Sequence, residues 1–318
     1  MGGYFKFKQS ENDLDPLILD RLDDSERDWW RGQIQSFRKT IVKSPDDYIQ
    51  EALAQNRLTR ETLQRDFDGA IFSTRALSYG AYLKDESRFH AEVFKYLSEQ
   101  REIPRMVLEE LTSKIDFSSD GASSAKVGKI AELTGEYVGR IFPYVYELSL
   151  STTQSRRSRA GKEFEVLIEF VLKILEIRFE TQAAIGKKRF ESTGLGKIVD
   201  VIIPGIAEYE NHRQNCAVVT AKTTLRERWA EVAEELQRTN VPKIYLLTLD
   251  EDISLQTVDL MKQYNITLVM PSKYKEQKFS DNARVLSFKQ FFSHDLPHVL
   301  SYFDNPKLML LDEKLRSS

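Results

Sequence analysis

Apolar positions follow two different periods along this chain, and the change between them divides it. From Ser25 onward, Trp30, Ile34, Phe37 and Ile41 fall on one helical face with charged positions opposite. Ser44 then precedes Pro45 and Asp46-Asp47, which are the cap, first-position proline and acidic first turn of a new helix. The same period predicts helices around Arg60–Arg65, Phe67–Leu83, Glu86–Glu99 and Pro104–Ile115. After a loop at Asp116–Ser124 it predicts a long helix over Lys126–Leu148. Residues 1–24 read as irregular, so residues 1–150 are expected to form an all-helical N-terminal region.

The polar, basic run Ser151–Arg159 marks a change of composition. A strongly apolar helix is expected after it, over Ala160–Arg178, and then strand and helix signals alternate. Strands are predicted near Thr181–Ile185, Lys188–Ser192, Lys197–Ile203, Asn215–Ala221, Lys243–Leu249 and Ile266–Met270. Helices are predicted near Leu225–Gln237 and Ser254–Tyr264, with short ones at Phe288–Ser293 and Pro297–Tyr302. Residues 151–318 therefore read as an α/β domain, a mixed sheet flanked by helices.

Composition narrows the class. With 41% hydrophobic and 30% charged residues, the chain can bury a core and is not disordered. The net charge of −3 does not announce a nucleic-acid binder, but the basic residues cluster at Arg156, Arg157, Arg159 and Lys162, and again at Lys187, Lys188 and Arg189. The single cysteine, Cys216, falls in a predicted strand and reads as a buried, inert thiol in a reducing compartment. The N-terminal residues have no signal-peptide apolar core, and Lys6 stands where a myristoylation pattern wants Ser or Thr. Phe164–Ile177, the most apolar stretch, is broken by Glu165, Glu169, Lys173 and Glu176, so no membrane span is expected and a cytoplasmic location is.

Candidate chemistry converges on two strands. Asp200 interrupts the apolar run Ile198–Ile203, where an unpaired charge is unfavourable. Lys222 ends the run Val218–Ala221, and Thr223-Thr224 then turn the chain into a helix. An aspartate and a lysine on neighbouring strands suit Mg²⁺-dependent phosphodiester cleavage: the carboxylate holds a hard cation, and the ammonium orients water and offsets phosphate charge. A solvated edge or a structural ion pair would account for the same two residues. The usual partner carboxylate, two residues before the lysine, is here Thr220. Glu231 and Glu235 share a face of the following helix, and Glu165 and Glu169 share one on the apolar helix, although snorkelling or pairing explains such charges as well. His294 and His298 lie four apart with Pro297 between them and no third ligand nearby, so zinc is not expected. Gly194-Leu195-Gly196 reads as a turn rather than a dinucleotide fingerprint.

Three stretches carry a family resemblance: Gln154–Glu165, Val199-Asp200, and Ala221–Trp229 with Glu235 beyond. Their order and spacing over residues 150–240 resemble the CCGG group of type II restriction endonucleases, in the EcoRII and SsoII branch of the PD-(D/E)XK superfamily. The resemblance implies a restriction-endonuclease-like α/β fold. In that branch the second catalytic carboxylate has moved from the strand to the following helix. The implied catalytic set is therefore Glu165, Asp200, Lys222 and Glu235, with Glu165, Asp200 and Glu235 on Mg²⁺. It further implies that Arg226, Glu227 and Arg228 read the CC:GG pairs from the major groove, and that Gln154 contacts bases from the minor-groove side. Arg156, Arg157 and Arg159, ahead of the apolar helix, and Lys162 in its first turn are expected on the DNA backbone. Some members swing central bases into a pocket formed by an arginine and an aromatic four residues later. Arg75 and Tyr79 have that spacing, as do Arg140 and Tyr144, although such pairs are common on any helix and helix packing is the simpler reading of either.

The expected protein is thus a Mg²⁺-dependent type II restriction endonuclease. It would cut double-stranded DNA at a palindrome with a CC/GG core, CCGG or CCNGG in type, and leave 5′-phosphates. Two equivalent half-sites imply a homodimer or a higher assembly, with the helical region serving dimerisation and DNA wrapping. A structure-selective or repair nuclease on the same fold, and a non-catalytic DNA-binding protein, are the alternatives.

Overall fold

The computed structural model describes residues 15–115, 123–196, 198–225, 228–238 and 241–305. Seven helices come first: α1 (Asp24–Ile41), α2 (Pro45–Leu53), α3 (Arg60–Arg65), α4 (Phe67–Gln100), α5 (Glu102–Ser113), α6 (Ser123–Arg140) and α7 (Phe142–Ile174). The starts of α1 and α2 follow from their caps. Asp23 accepts the Glu26 N–H, and Ser44 and Asp47 form a capping box ahead of Pro45. Two sequence breaks are bridged. Leu83–Asp85 holds no helix breaker, so the two expected helices join as α4. Ser151–Arg159 is polar but free of proline, so it lies within α7 and does not precede a helix. The expected Lys126–Leu148 helix divides instead at Ile141, where Pro143 enters the first turn of α7.

The second half alternates: β1 (Glu180–Thr181), α8 (Gln182–Ile185), α9 (Lys187–Ser192), β2 (Val201–Ile203), α10 (Ile206–His212), β3 (Ala217–Lys222), α11 (Arg228–Arg238), β4 (Ile244–Thr248), α12 (Leu255–Gln263), β5 (Ile266–Met270), α13 (Ser272–Phe279), β6 (Val285–Ser287), α14 (Phe288–Gln290) and α15 (Leu296–Phe303). The strands form one sheet in the order β1-β2-β3-β4-β5-β6. The β1–β2 and β2–β3 pairs are antiparallel, and the remaining pairs are parallel.

The strands expected at Thr181–Ile185 and Lys188–Ser192 are mostly helical. The Thr181 hydroxyl accepts the Ala184 N–H and starts α8 after two strand residues. Gly186, at φ +92°, makes the turn from α8 into α9. The three-residue β6 is too short to show a period, and the helices α10 and α13 also escaped prediction. Phe291–Asp295 is a π-turn that carries the helical course from α14 into α15, so Pro297 does not break the backbone between His294 and His298.

The chain divides into two compact units, and the division follows contacts rather than composition. One comprises Ala81–Arg157 with the chain up to Lys43; the other comprises Ser44–Gly80 and the chain from Ser158 onward. The boundary therefore differs from the 1–150 and 151–318 regions expected from the sequence. In the first unit, Trp30, Ile34, Phe89, Val93, Leu97, Ile141 and Leu148 share a core. In the second, both sheet faces are covered. Alternation along β3 sends Ala217, Val219 and Ala221 to one face, with Phe164, Leu167 and Val171 of α7 and Ile49, Leu63, Phe67 and Ile71 from α2, α3 and α4. Val218 joins Leu246, Leu268, Val232 and Met261 on the other. No described helix is long and apolar enough to cross a membrane.

Candidate nuclease site

Sheet register brings the two central residues together. Val201 pairs with Val219, and the antiparallel register continued by one residue sets Asp200 opposite Thr220. The Asp200 N–H donates to the Val219 carbonyl at 3.0 Å and its own carbonyl accepts the Gln182 N–H at 3.2 Å, so the backbone at this position is held on both sides. Lys222 closes β3 two residues beyond Thr220. Its Nζ stands 3.4 Å from Asp200 Oδ2, and both side chains keep about a fifth of their surface exposed, 20% and 18%. The same oxygen accepts the Ala221 N–H at 2.8 Å and the Thr220 hydroxyl at 3.1 Å. The pair is thus half-buried, mutually compensated and open to solvent at one end.

α7 supplies the third group. Lys162, Glu165 and Glu169 share a face by their spacing, and all three line one cleft with Asp200, Gln182 and Lys187, about 280 Å³ in volume. Lys162 Nζ lies 3.2 Å from Glu165 Oε2. Burial, reinforced by the charge of Asp200, raises the Glu165 carboxyl above its ordinary value, against the opposing pull of Lys162 and Lys222. Burial likewise raises Glu169. Two carboxylates that resist sharing negative charge in one cleft are chemically suited to a divalent cation between them. Mg²⁺ takes one or two protein carboxylates and fills its octahedron with water and phosphate oxygens, so Asp200 and Glu165 fit it. Among the described residues, no three His, Cys, Asp or Glu side chains converge tightly enough to hold a metal by themselves. Glu235 sits half-buried in the second half of α11, outside any such group.

The other expected residues divide. Gln154 and Arg157 are exposed on α7. Arg156, also on that helix, is engaged: its Nε donates to both carboxylate oxygens of buried Glu86, at 2.9 and 3.0 Å. Arg159 is buried, 3.7 Å from Glu163 and 4.3 Å over the Tyr48 ring, and is a packing residue here rather than a phosphate ligand. None of the three lies at a helix start, so no free N–H groups accompany them. Lys162 lines the cleft beside Glu165, three residues before it on α7. Arg75 is half-buried, with Nε enclosed and lacking a hydrogen-bond partner, while Tyr79 on the next turn is exposed. Arg140 and Tyr144 fall on two different helices; Arg140 binds Glu110 and Glu136, and Tyr144 packs edge-on against Trp30, so packing explains that pair. Arg226 and Glu227 lie outside the described residues, and so does the side chain of Arg228, which opens α11. Ahead of them, the Leu225 N–H donates to Asp250 Oδ2 at 2.7 Å and anchors the junction.

A mixed sheet with an aspartate before one strand, a lysine ending its antiparallel neighbour and a helix-borne glutamate beside them belongs to the restriction-endonuclease class of folds. The chain superposes on metal-depleted Ecl18kI in complex with uncleaved, modified DNA with a TM-score of 0.69 and 28% identity, covering 90% of this chain and 87% of that one. It shares its fold with the PspGI restriction endonuclease in its substrate DNA complex, with a TM-score of 0.56 and 18% identity over 83% of this chain and 95% of that one. Residues 134–292, half of the chain, match the EcoRII C-terminal family, and the protein belongs to that family. It is 39% identical over 183 residues to the type II restriction enzyme SsoII of Shigella sonnei, an alignment covering 56% of this chain and 59% of that enzyme. It is 30% identical over 137 residues to the type II restriction enzyme EcoRII of Escherichia coli, covering 41% of this chain and 31% of that enzyme. The match therefore spans about three fifths of the first relative and under a third of the second.

Proposed function

We propose that this protein is a Mg²⁺-dependent type II restriction endonuclease that cuts double-stranded DNA at a palindrome with a CC/GG core. The observation that carries the reading is the Asp200–Lys222 pair, 3.4 Å apart, whose aspartate lines a cleft together with Glu165. Kinship with SsoII and EcoRII supports it. Asp200 and Glu165 would hold the metal, which when bound polarises the scissile phosphate and acidifies a water. Lys222 orients the attacking water and offsets the charge that builds on the phosphate oxygens. The bond from phosphorus to the 3′ oxygen breaks, leaving a 5′-phosphate. Glu235, in the second half of α11, would complete the set as the helix-borne carboxylate that stands in for one at Thr220. Arg226, Glu227 and Arg228 read the CC:GG pairs, Gln154 approaches from the minor groove, and Arg157 and Lys162 meet the backbone. A homodimer supplies one site per strand.

Incubation of plasmid DNA with the protein and Mg²⁺ tests the reading. Discrete fragments whose sequenced ends share a CC/GG core are expected, and Asp200→Ala and Lys222→Ala should each abolish them. Random nicking would favour a structure-selective or repair nuclease. Retention of near-parent cleavage by either variant would refute the site.

A further inference from the structure

Thr220 fills the position two residues before Lys222, and it has a task of its own. It is fully buried in β3, between Val218, Val219 and Ala221. A hydroxyl in such a place is unfavourable unless hydrogen-bonded, and valine would fit the strand equally well. Its partner is Asp200 Oδ2, at 3.1 Å. With the Ala221 N–H at 2.8 Å and Lys222 Nζ at 3.4 Å, that one oxygen gathers three donors. Asp200 Oδ1 receives no hydrogen bond among the described residues, and Asp200 lines the cleft. A carboxylate held by three donors on one oxygen and none on the other has a fixed plane and one oxygen to offer.

Resting on the metal-dependent reading above, we propose that Thr220 is a positioning residue whose hydroxyl locks the Asp200 carboxylate so that Oδ1 is presented as a metal ligand. The position is then not a ligand lost from the strand but an orienting group that replaced one. A carboxylate at position 220 would stand against Asp200 Oδ2 and repel it, so the site is closed to the simple reversal Thr220→Glu.

The test is Ca²⁺ binding by the full-length protein, followed by calorimetry and by the shift of its thermal unfolding with added ion. Thr220→Val keeps the shape and β-branching and removes only the donor; it should weaken Ca²⁺ binding about tenfold or more, as the loss of an outer hydrogen bond does at other metal sites. Thr220→Ser restores the donor and should restore the affinity. Asp200→Asn calibrates the site and should lose binding. If Asp200→Asn binds poorly while Thr220→Val binds like the parent, the role of Thr220 is wrong. If Asp200→Asn also binds like the parent, or the parent takes up no Ca²⁺, the metal reading fails and the inference with it. Should Thr220→Val not fold, Thr220→Ser against Thr220→Ala decides the matter, because both lack the methyl and only the second lacks the hydroxyl; equal affinities would overturn the proposal.

Discussion

Arg156 Nε clasps the buried carboxylate of Glu86 through both oxygens, at 2.9 and 3.0 Å. Glu86 is 4% exposed, and Tyr82 donates to the same carboxylate. Burial pushes the Glu86 carboxyl up, but the Arg156 and Tyr82 hydrogen bonds outweigh it and hold the group below its usual range. Its stability contribution is therefore present above the ordinary carboxylate range and lost as pH falls through the lowered value.

Arg156 and Arg157 should accordingly part company on substitution. Arg156→Ala strands a buried anion and should lower folding stability by about 1.5–3 kcal/mol, the range for a hydrogen bond to a charged group. Arg157→Ala should leave stability unchanged and reduce the slope of DNA affinity against salt by about one unit. Urea unfolding and binding titrations over salt separate the two. An unchanged salt slope for Arg157→Ala would return that residue to the solvated surface.

Asp68 yields a pH prediction of the opposite sign. Its Oδ2 accepts the Ser272 N–H at 2.6 Å, and its Oδ1 is buried without a hydrogen-bond partner. Burial raises its carboxyl above the ordinary value, with hydrogen bonds from Ser272 opposing. A raised acid stabilises the fold below its unfolded value and loses that contribution as pH rises through the folded one. Asp68→Asn keeps the acceptor and cannot ionise. The stability of the parent relative to Asp68→Asn should therefore fall as pH rises above the ordinary aspartate value of about 4, measured by urea unfolding. A constant difference across that range would contradict the assignment.

Asp250 is expected to govern DNA specificity without touching the cutting residues. It holds the Leu225 N–H at 2.7 Å, just before the Arg226-Glu227-Arg228 triplet, and its own N–H donates to Thr248 Oγ1 at 3.1 Å. Asp250→Ala should narrow the difference in affinity between a CC/GG duplex and a scrambled one, measured by gel shift in Ca²⁺. Non-specific affinity at low salt should persist. Undiminished discrimination would mean that the junction holds itself.

The helix phase of α11 is tested by Glu235→Ala against Glu234→Ala. Glu235 is half-buried and Glu234 exposed, so the first should nearly abolish cleavage and the second keep most of it. Equal loss from both would exclude Glu235 as the migrated carboxylate.

Sequence patterning reached the sheet and the site core because both obey short periods. β3, β4 and β5 are continuous apolar runs, and Asp200 and Lys222 are the charges that interrupt or end such runs. α8 and α9 differ from the strands expected there because Thr181–Ile185 and Lys188–Ser192 are too short for their few apolar positions to separate a strand period from a helical one, and the Thr181 cap and the Gly186 turn decide. The placement of α2 and α3 on the sheet was illegible for another reason. A helical face reveals that it is buried, not what buries it, and Ile49 and Leu63 find Leu167 and Val171 only in three dimensions. Arg159 and Arg157 are alike in sequence, and only packing separates the buried guanidinium from the exposed one.

Asp200 and Lys222 are fixed by strand register, and Thr220 and Ala221 brace them from the same ladder. The chain that follows Lys222 leaves the ladder at once, and Leu225 is tied back by a side chain from a different strand end. On the function proposed above, cutting and reading are then mounted on separate fixtures a few residues apart. Substitutions after the strand would leave the ladder's register untouched, so on that reading the recognised word can change without disturbing the residues that cut.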